Sequence, residues 1–322
     1  MKLTAAYLAG LAVEAIPHLD VVGIRGKLAY TSDYASVTII DSHGKQWRVR
    51  YPLNSFASTA LEAEAALAPE LLTALQQGDL TFDVMRPAGF SYTQEGRALV
   101  YPEPYGKTIS FDNMTVNEAQ SLARTIATIH MLPPRIISRS GLPTYTNEEW
   151  RRRLQAELSD ANHTGHIPSS LHKRWDDILN DRQLWNFTPT VVHGDVDSEN
   201  FLWARQSITT VMGWGEAHVG DPALDLASLM SIDDDLLHAA LISYEHTRKN
   251  GRDEKLLKRA QFMNEFYLLR WLMYGVHLHD EDIQINAIKM LKELDDQIAD
   301  ERLETSSWSV ESSDAFTKDP LL

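Results

Sequence analysis

The chain contains no cysteine. That excludes disulfides, thiolate-bound zinc and a cysteine nucleophile. Long hydrophobic runs are missing too: none approaches the roughly 20 residues that a membrane helix needs. Positive charge is scarce. Thirty Lys and Arg face forty-five Asp and Glu over 322 residues, a formal net charge of -15 at pH 7. This balance argues against nucleic acid or an anionic membrane as the main partner and suits a cationic small molecule better. No G-x-S-x-G elbow occurs, which disfavours a serine hydrolase.

What is present is ordinary for a globular chain. Hydrophobic residues make up 43% and charged residues 23%, enough apolar material to exclude global disorder. The length predicts two domains or two lobes. Lys2 precedes an apolar stretch ending near Pro17, as in a signal peptide. Glu14 interrupts that stretch, and Leu8, Leu11, Ala12 and Ala15 share one helical face, so a helix starting after Thr4 is the better reading.

Patterning then divides the chain. Val21 to Ile24, Ala35 to Ile40 and Gln46 to Tyr51 read as strands, the last two joined by a turn at Asp41-Ser42-His43-Gly44. Residues 58 to 75 read as a helix, and Leu80 to Arg86 and Arg97 to Pro102 as two more strands. After Pro102-Glu103-Pro104 the character changes. Thr115 to His130 and Trp150 to Leu158 read as helices, and the chain beyond Pro222 is nearly all helical, broken at Asn250-Gly251 and near Asp280. The expected organisation is a small β-rich lobe over 1–102, a larger helical lobe over 103–305, and a Ser-rich tail over 306–322 that reads as disordered.

The most informative segment is Val191-Val192-His193-Gly194-Asp195-Val196-Asp197-Ser198-Glu199-Asn200-Phe201-Leu202. Phosphoryl transfer needs an Asp to accept or orient the attacking hydroxyl and, five residues on, an Asn to bind Mg²⁺ on the nucleotide phosphates. Asp195 and Asn200 have that spacing; an Asx-rich surface turn would share it. Twenty residues on, Asp221-Pro222-Ala223-Leu224-Asp225-Leu226-Ala227 reads alone as a helix start, with Asp221 as cap and Pro222 at the first position.

Together these segments resemble the aminoglycoside and macrolide phosphotransferase family. His193-Gly194-Asp195, Asn200, Trp214-Gly215-Glu216-Ala217 and Asp221 to Ala227 match the family's order. Upstream, Leu122 to His130 is similar to its L-A-x-x-L-A-x-L-H helix. The resemblance implies an α+β, bilobal protein-kinase-like fold, with a small antiparallel β-sheet lobe that binds nucleotide and a larger helical catalytic and substrate lobe. It implies a cytoplasmic enzyme that moves the γ-phosphate of ATP or GTP, with Mg²⁺, to a hydroxyl of a small molecule. Asp195 would be the catalytic base, Asn200 a metal ligand, Asp225 a brace for the loop and His193 its orienter. A buried structural histidine is the alternative for His193.

Three departures follow. The family places a second metal-binding Asp before the Trp of D-W-x-x-A; here that position is Gly213. Asp197, Glu199 or Glu216 could supply the carboxylate. Otherwise the chain is a catalytically impaired, pseudokinase-like module that binds a ligand or a protein. An Asp restored at 213 is expected to strengthen Mg²⁺-dependent nucleotide binding. Second, the phosphate-gripping lysine is replaced by Arg50, with Arg48 on the same strand face and Glu64, then Glu62, as helix partners. Third, Gly23-Ile24-Arg25-Gly26 stands where a glycine-rich phosphate loop is expected. The hinge should run from Val100 to Tyr105, so that Tyr101 and Glu103 meet the nucleotide base. His277-Leu278-His279-Asp280 lacks a matched third ligand and reads as surface.

Overall fold

A computed structural model describes residues 3–248 and 253–314, with side chains as far as residue 300. Two compact units emerge: 1–147 with 187–260, and 148–186 with 261–322.

The first unit opens on α1 (Ala5–Ala15), capped by the Thr4 hydroxyl as expected. Strands β1 (Val21–Tyr30), β2 (Tyr34–Asp41) and β3 (Gln46–Pro52) follow, then the long helix α2 (Ser55–Gln77), then β4 (Asp83–Val84), β5 (Gly89–Tyr92) and β6 (Arg97–Pro102). Five of these strands form one antiparallel sheet in the order β1-β2-β3-β6-β5. Leu8, Leu11 and Ala12 of α1 pack on the Val37, Ile39, Val49 and Val100 side of that sheet. Alternation in β3 holds: Trp47, Val49 and Tyr51 are buried, whereas Arg48 and Arg50 are only partly so.

Two strand readings change. In Leu80 to Arg86, only Asp83–Val84 makes a ladder, and it pairs in parallel with Thr210 and Val211 of another sheet. Leu80, Phe82 and Val84 are apolar because they fill the unit's main core. The fifth strand is instead Gly89–Tyr92, a short segment whose buried Ser91 donates to the Leu11 carbonyl of α1 at 2.7 Å. Likewise Gly23 to Gly26 does not form a loop between strands. It lies inside β1, where the register slips between Arg25 and Ala29. The chain reverses only at Thr31 to Asp33.

The same unit contains α3 (Val116–His130), α4 (Arg135–Arg139), β7 (Thr190–Val192), β8 (Phe201–Ala204), β9 (Ser207–Val211), β10 (His218–Gly220), α7 (Ala223–Leu226) and α8 (Asp234–Arg248). A capping box starts α3: the Thr115 hydroxyl accepts from the Glu118 N–H and the Glu118 carboxylate from the Thr115 N–H. Its Leu122, Ala123, Ile126 and Ile129 are fully buried.

The second unit contains α5 (Asn147–Asn162), α6 (Ser169–Asn180), most of α9 (Leu256–Leu278) and α10 (Glu281–Asp314). Trp175 and Phe266 meet edge to face, and Glu265 accepts from both Arg174 and Trp175. The aromatic run in α9 is therefore partly core, with Phe262, Phe266 and Leu269 buried. His277 Nδ1 bonds back to the Met273 carbonyl. Among the described residues no three His, Asp or Glu side chains gather as a metal site, and no helix is long and apolar enough to cross a membrane. The expected break at Asn250-Gly251 lies outside the described residues, as do residues 315–322 of the expected tail, whose first part continues α10.

Candidate active site

The segment after β7 is pinned from beneath. Asp225, fully buried at the end of α7's first turn, accepts the backbone N–H of His193 at 2.7 Å and of Gly194 at 2.8 Å. His193 is equally buried, wedged between the rings of Phe201 and Trp214. Its Nε2 lies 2.7 Å from the Met212 carbonyl, and its Nδ1 accepts the Asp195 N–H at 3.3 Å. A carbonyl can only accept, so Nε2 carries the ring proton. His193 thus ties the loop to the end of β9 and orients it.

Asp195 projects from this frame into solvent. Asn200 Nδ2 donates to Asp195 Oδ2 at 2.9 Å and to the Asp195 carbonyl at 3.0 Å. Surrounding protein pushes the Asp195 carboxyl upward; His193 and the Asn200 amide pull it down, and Asp197 and Asp33 push it up again. Because the side chain opens to solvent, water screens part of this push. Asp197 Oδ1 caps the short turn 198–200 by accepting the Glu199 N–H at 2.9 Å. Glu216 is exposed, and its carbonyl is bonded by His218 Nδ1.

Gly213 meets this loop directly. Its φ is +74°, a left-handed conformation. A Cβ placed there would lie 2.7 Å from Asn200 Nδ2 and nearer still to Oδ1. The Asn200 amide therefore fills the space of the absent side chain. Two residues on, Gly215 closes on α2: a Cβ there would meet the Ala60 Cβ at 2.5 Å.

Arg50 and Glu64 pair as the alternation predicts, Nη1 to Oε2 at 3.3 Å, with side chains 14% and 3% exposed. Glu64 Oε1 has no hydrogen-bond partner among the described residues. Burial pushes the Glu64 carboxyl up; Arg50, His193 and the Gly213 N–H oppose that push. The Tyr101 side chain is buried, its phenol pushed up to about 12 by burial, with Arg50 opposing. Glu62, the second choice as partner, pairs with Arg97 instead. Arg48 is held by both oxygens of Glu103, which joins β3 to the expected hinge, and the Glu103 N–H donates to the Gln46 carbonyl at 3.0 Å.

Sequence reasoning missed Tyr34. Its ring lies on the Arg50 guanidinium, 3.9 Å from Cζ. Burial pushes its phenol up; Arg50 opposes, while Glu64, Asp33 and Asp195 add to the push. The turn before it is fastened to α2, with Asn54 Nδ2 donating to Asp33 Oδ1 at 2.8 Å and the Leu53 N–H to the Asp33 carbonyl at 2.8 Å. A strand that continues past Gly26 to Tyr30, followed by Ser32-Asp33, is the signal that could have placed this turn.

Two buried groups support the site from behind. His130, the last residue of α3, lies 3.0 Å by Nε2 from Asp225 Oδ2. Asp221 is held by the fully buried Arg259, Nε to Oδ2 at 2.7 Å and Nη2 to Oδ1 at 3.0 Å, and Arg259 also reaches Asp253 at 2.8 Å.

An antiparallel sheet whose Arg50 pairs with Glu64 of the following helix, and a loop bearing Asp195 and Asn200 braced by Asp225, together mark a kinase-like fold. The model of the phosphotransferase enzyme family matches residues 39–257, more than half of the chain, and the chain belongs to that family. Viomycin phosphotransferase from Streptomyces vinaceus is 27% identical over 208 residues, covering 58% of this chain and 69% of that protein. Among solved structures, macrolide 2'-phosphotransferase MphH from Brachybacterium faecium superposes with a TM-score of 0.73 at 21% identity, covering 89% of this chain and 97% of that one. The GDP and kanamycin complex of APH(2")-IIia gives 0.72 at 18%, covering 89% and 97%.

Proposed function

We propose that this chain transfers the γ-phosphoryl group of ATP or GTP to a hydroxyl of a small molecule. One observation carries the reading: Asp195 and Asn200 are bonded to each other on a loop whose backbone is held by both oxygens of Asp225. An oriented carboxylate beside a fixed amide oxygen is what in-line transfer requires. Asp195 orients the acceptor hydroxyl and takes its proton as the oxygen bonds to the γ-phosphorus and the bond to the β-phosphate oxygen breaks. Arg50 would hold nucleotide phosphates, with Glu64 keeping its guanidinium aligned. The segment Tyr101 to Glu103 would meet the base, its position set by the Arg48–Glu103 pair.

The donor set suits magnesium, which prefers hard oxygen ligands and takes few from protein when phosphate and water supply the rest. Asn200 Nδ2 is engaged by Asp195, leaving Oδ1 as the oxygen to hold the ion; Asp197 and Glu216 lie on the flanking turns. Bound there, the ion would neutralise phosphate charge. The acceptor fits a cationic, amino-sugar-bearing compound, in keeping with the net charge of -15 and with the antibiotic phosphotransferases the chain resembles. A cytoplasmic place of action, where nucleoside triphosphates are abundant, completes the proposal.

A second reading has a specific observation in its favour. No carboxylate stands at 213, and the Tyr34 ring covers the Arg50 guanidinium. That is the form a ligand-binding relative without turnover would take. Turnover of ATP and GTP with Mg²⁺ across aminoglycosides, macrolides and small hydroxyl metabolites separates the two. The kinase reading expects turnover with at least one acceptor, and a loss of about 10² to 10⁴ in Asp195→Asn with the fold intact. Nucleotide binding with no turnover across the panel would favour the binding module.

A further inference from the structure

Inside the first unit, a file of polar side chains leads from α8 to the catalytic loop. Arg248 Nη1 lies 2.7 Å from the Tyr244 hydroxyl, and that hydroxyl lies 2.7 Å from His130 Nδ1. His130 Nε2 lies 3.0 Å from Asp225 Oδ2, and Asp225 holds the N–H groups of His193 and Gly194. Tyr244, His130 and Asp225 are 2%, 3% and 1% exposed, so the bonds among these three are shielded from bulk water.

The direction of every bond follows from the donor inventory. A guanidinium only donates, so the Tyr244 oxygen accepts from Arg248. The one phenolic proton then goes to His130 Nδ1. That leaves the ring proton on Nε2, pointed at the Asp225 carboxylate. With the proton on Nδ1 instead, a bare Nε2 lone pair would face Asp225 Oδ2, acceptor against acceptor. Burial favours the neutral ring in either case.

We infer that Tyr244 and Arg248 are positioning residues for phosphoryl transfer, acting through His130 and Asp225 on the loop that carries Asp195. The inference rests on the kinase reading above. Neither residue touches reacting atoms. The Tyr244 hydroxyl, itself held by Arg248, grips His130 by Nδ1 and so keeps the Nε2 proton aimed at the Asp225 carboxylate. Asp225 in turn fixes the backbone one and two residues before Asp195. Tyr244→Phe keeps the ring and its edge-to-face contact with His130 while removing the hydroxyl.

The test uses the purified full chain, with water as acceptor and ATP or GTP with Mg²⁺ as the probe. Wild type, Tyr244→Phe, Arg248→Met and Asp195→Asn are compared by steady-state hydrolysis. The tautomer of His130 is read by long-range ¹⁵N–¹H NMR, with His130→Gln for assignment. We expect wild-type His130 to carry its proton on Nε2. Tyr244→Phe should leave the proton on Nε2 but free the Nδ1 edge of the ring, weakening the Nε2–H bond to Asp225 and shifting its proton resonance, and lower kcat about tenfold, the scale of a sub-ångström misplacement, with KM for nucleotide within twofold. Arg248→Met, at the outer end of the file, should shift both readouts the same way by less, and it carries the test if Tyr244→Phe does not fold. An unchanged kcat in the folded variants, or an Nδ1 proton in the wild type, would overturn the inference. Absence of turnover in the wild type, with water and with every acceptor of the panel above, would sink the kinase reading and with it the transfer role, while the tautomer result would still decide whether the file of bonds exists.

Discussion

The carboxamide of Asn200 occupies the volume that any side chain at Gly213 would need. The two positions act as a unit: the amide sits where it does because the glycine is there. The φ of +74° at Gly213 adds a second reason for glycine.

Gly213→Ala should therefore destabilise the fold by about 1 to 3 kcal/mol, combining left-handed strain with displacement of a packed amide. Urea unfolding measures it. Sequence alone predicts that Gly213→Asp strengthens Mg²⁺-dependent nucleotide binding; the geometry reverses this, because the new carboxylate expels Asn200 from its place. The nucleotide titration should show no metal-dependent gain for Gly213→Asp. A gain would mean that Asn200 relocates freely.

Removing Arg50 while leaving Glu64 should be expensive. Arg50→Met strands a buried carboxylate, a change of about 3 to 5 kcal/mol in comparable pairs. Arg50→Met with Glu64→Leu should recover much of that loss. A double-mutant cycle on urea midpoints gives the coupling. Additive effects would show that the pair contributes no net attraction.

Arg259→Met makes a parallel case. It leaves Asp221 with no cation in a site that is 0% exposed, so a loss of about 3 to 5 kcal/mol is expected. A thermal shift of only a degree or two would show that water reaches Asp221 once Arg259 is gone.

His130 predicts a pH dependence. Burial pushes its ring below the usual histidine range, with Asp225 opposing. The unfolded chain therefore binds a proton near pH 6.5 that the folded chain does not. Stability should be fully present above about pH 6.5 and fall as pH drops through it, with a slope of at most about 1.4 kcal/mol per pH unit from this group. Urea unfolding at pH 5.5, 6.5 and 7.5 should show this slope, and His130→Gln should flatten it. An equal slope in the variant would assign the effect to other histidines.

Much of this arrangement is legible without coordinates. Asp195, Asn200 and His193 lie within eight residues, so their spacing alone constrains one loop, and Arg50 meets Glu64 because strand alternation and helix position leave few alternatives. Other features depend on contacts between distant segments. The turn at Thr31 to Asp33 was hidden because Gly23 and Gly26 look like loop residues, yet a bulged strand accommodates both. Tyr34 over Arg50 is a diagonal contact between the neighbouring strands β2 and β3, and no one-dimensional pattern marks it. Leu80 to Arg86 alternates like a strand because a core needs the same residues that a ladder does. Whether the gap at Gly213 is open or filled depends on one side-chain rotamer of Asn200.

The contact between Ala60 and Gly215 has a consequence for how the site can be tuned. Ala60 lies one helical turn before Glu64 on α2, so the depth at which the helix seats also sets the reach of the Glu64 carboxylate toward Arg50. At this point the spacer between helix and turn is a single methyl group facing none. Enlarging either residue by one or two carbons would lift the helix like a shim under a lever, parting the ion pair without altering either of its members. On the kinase reading proposed above, activity would thus be adjustable from Ala60 and Gly215, two uncharged positions that would attract no notice in a search for catalytic residues.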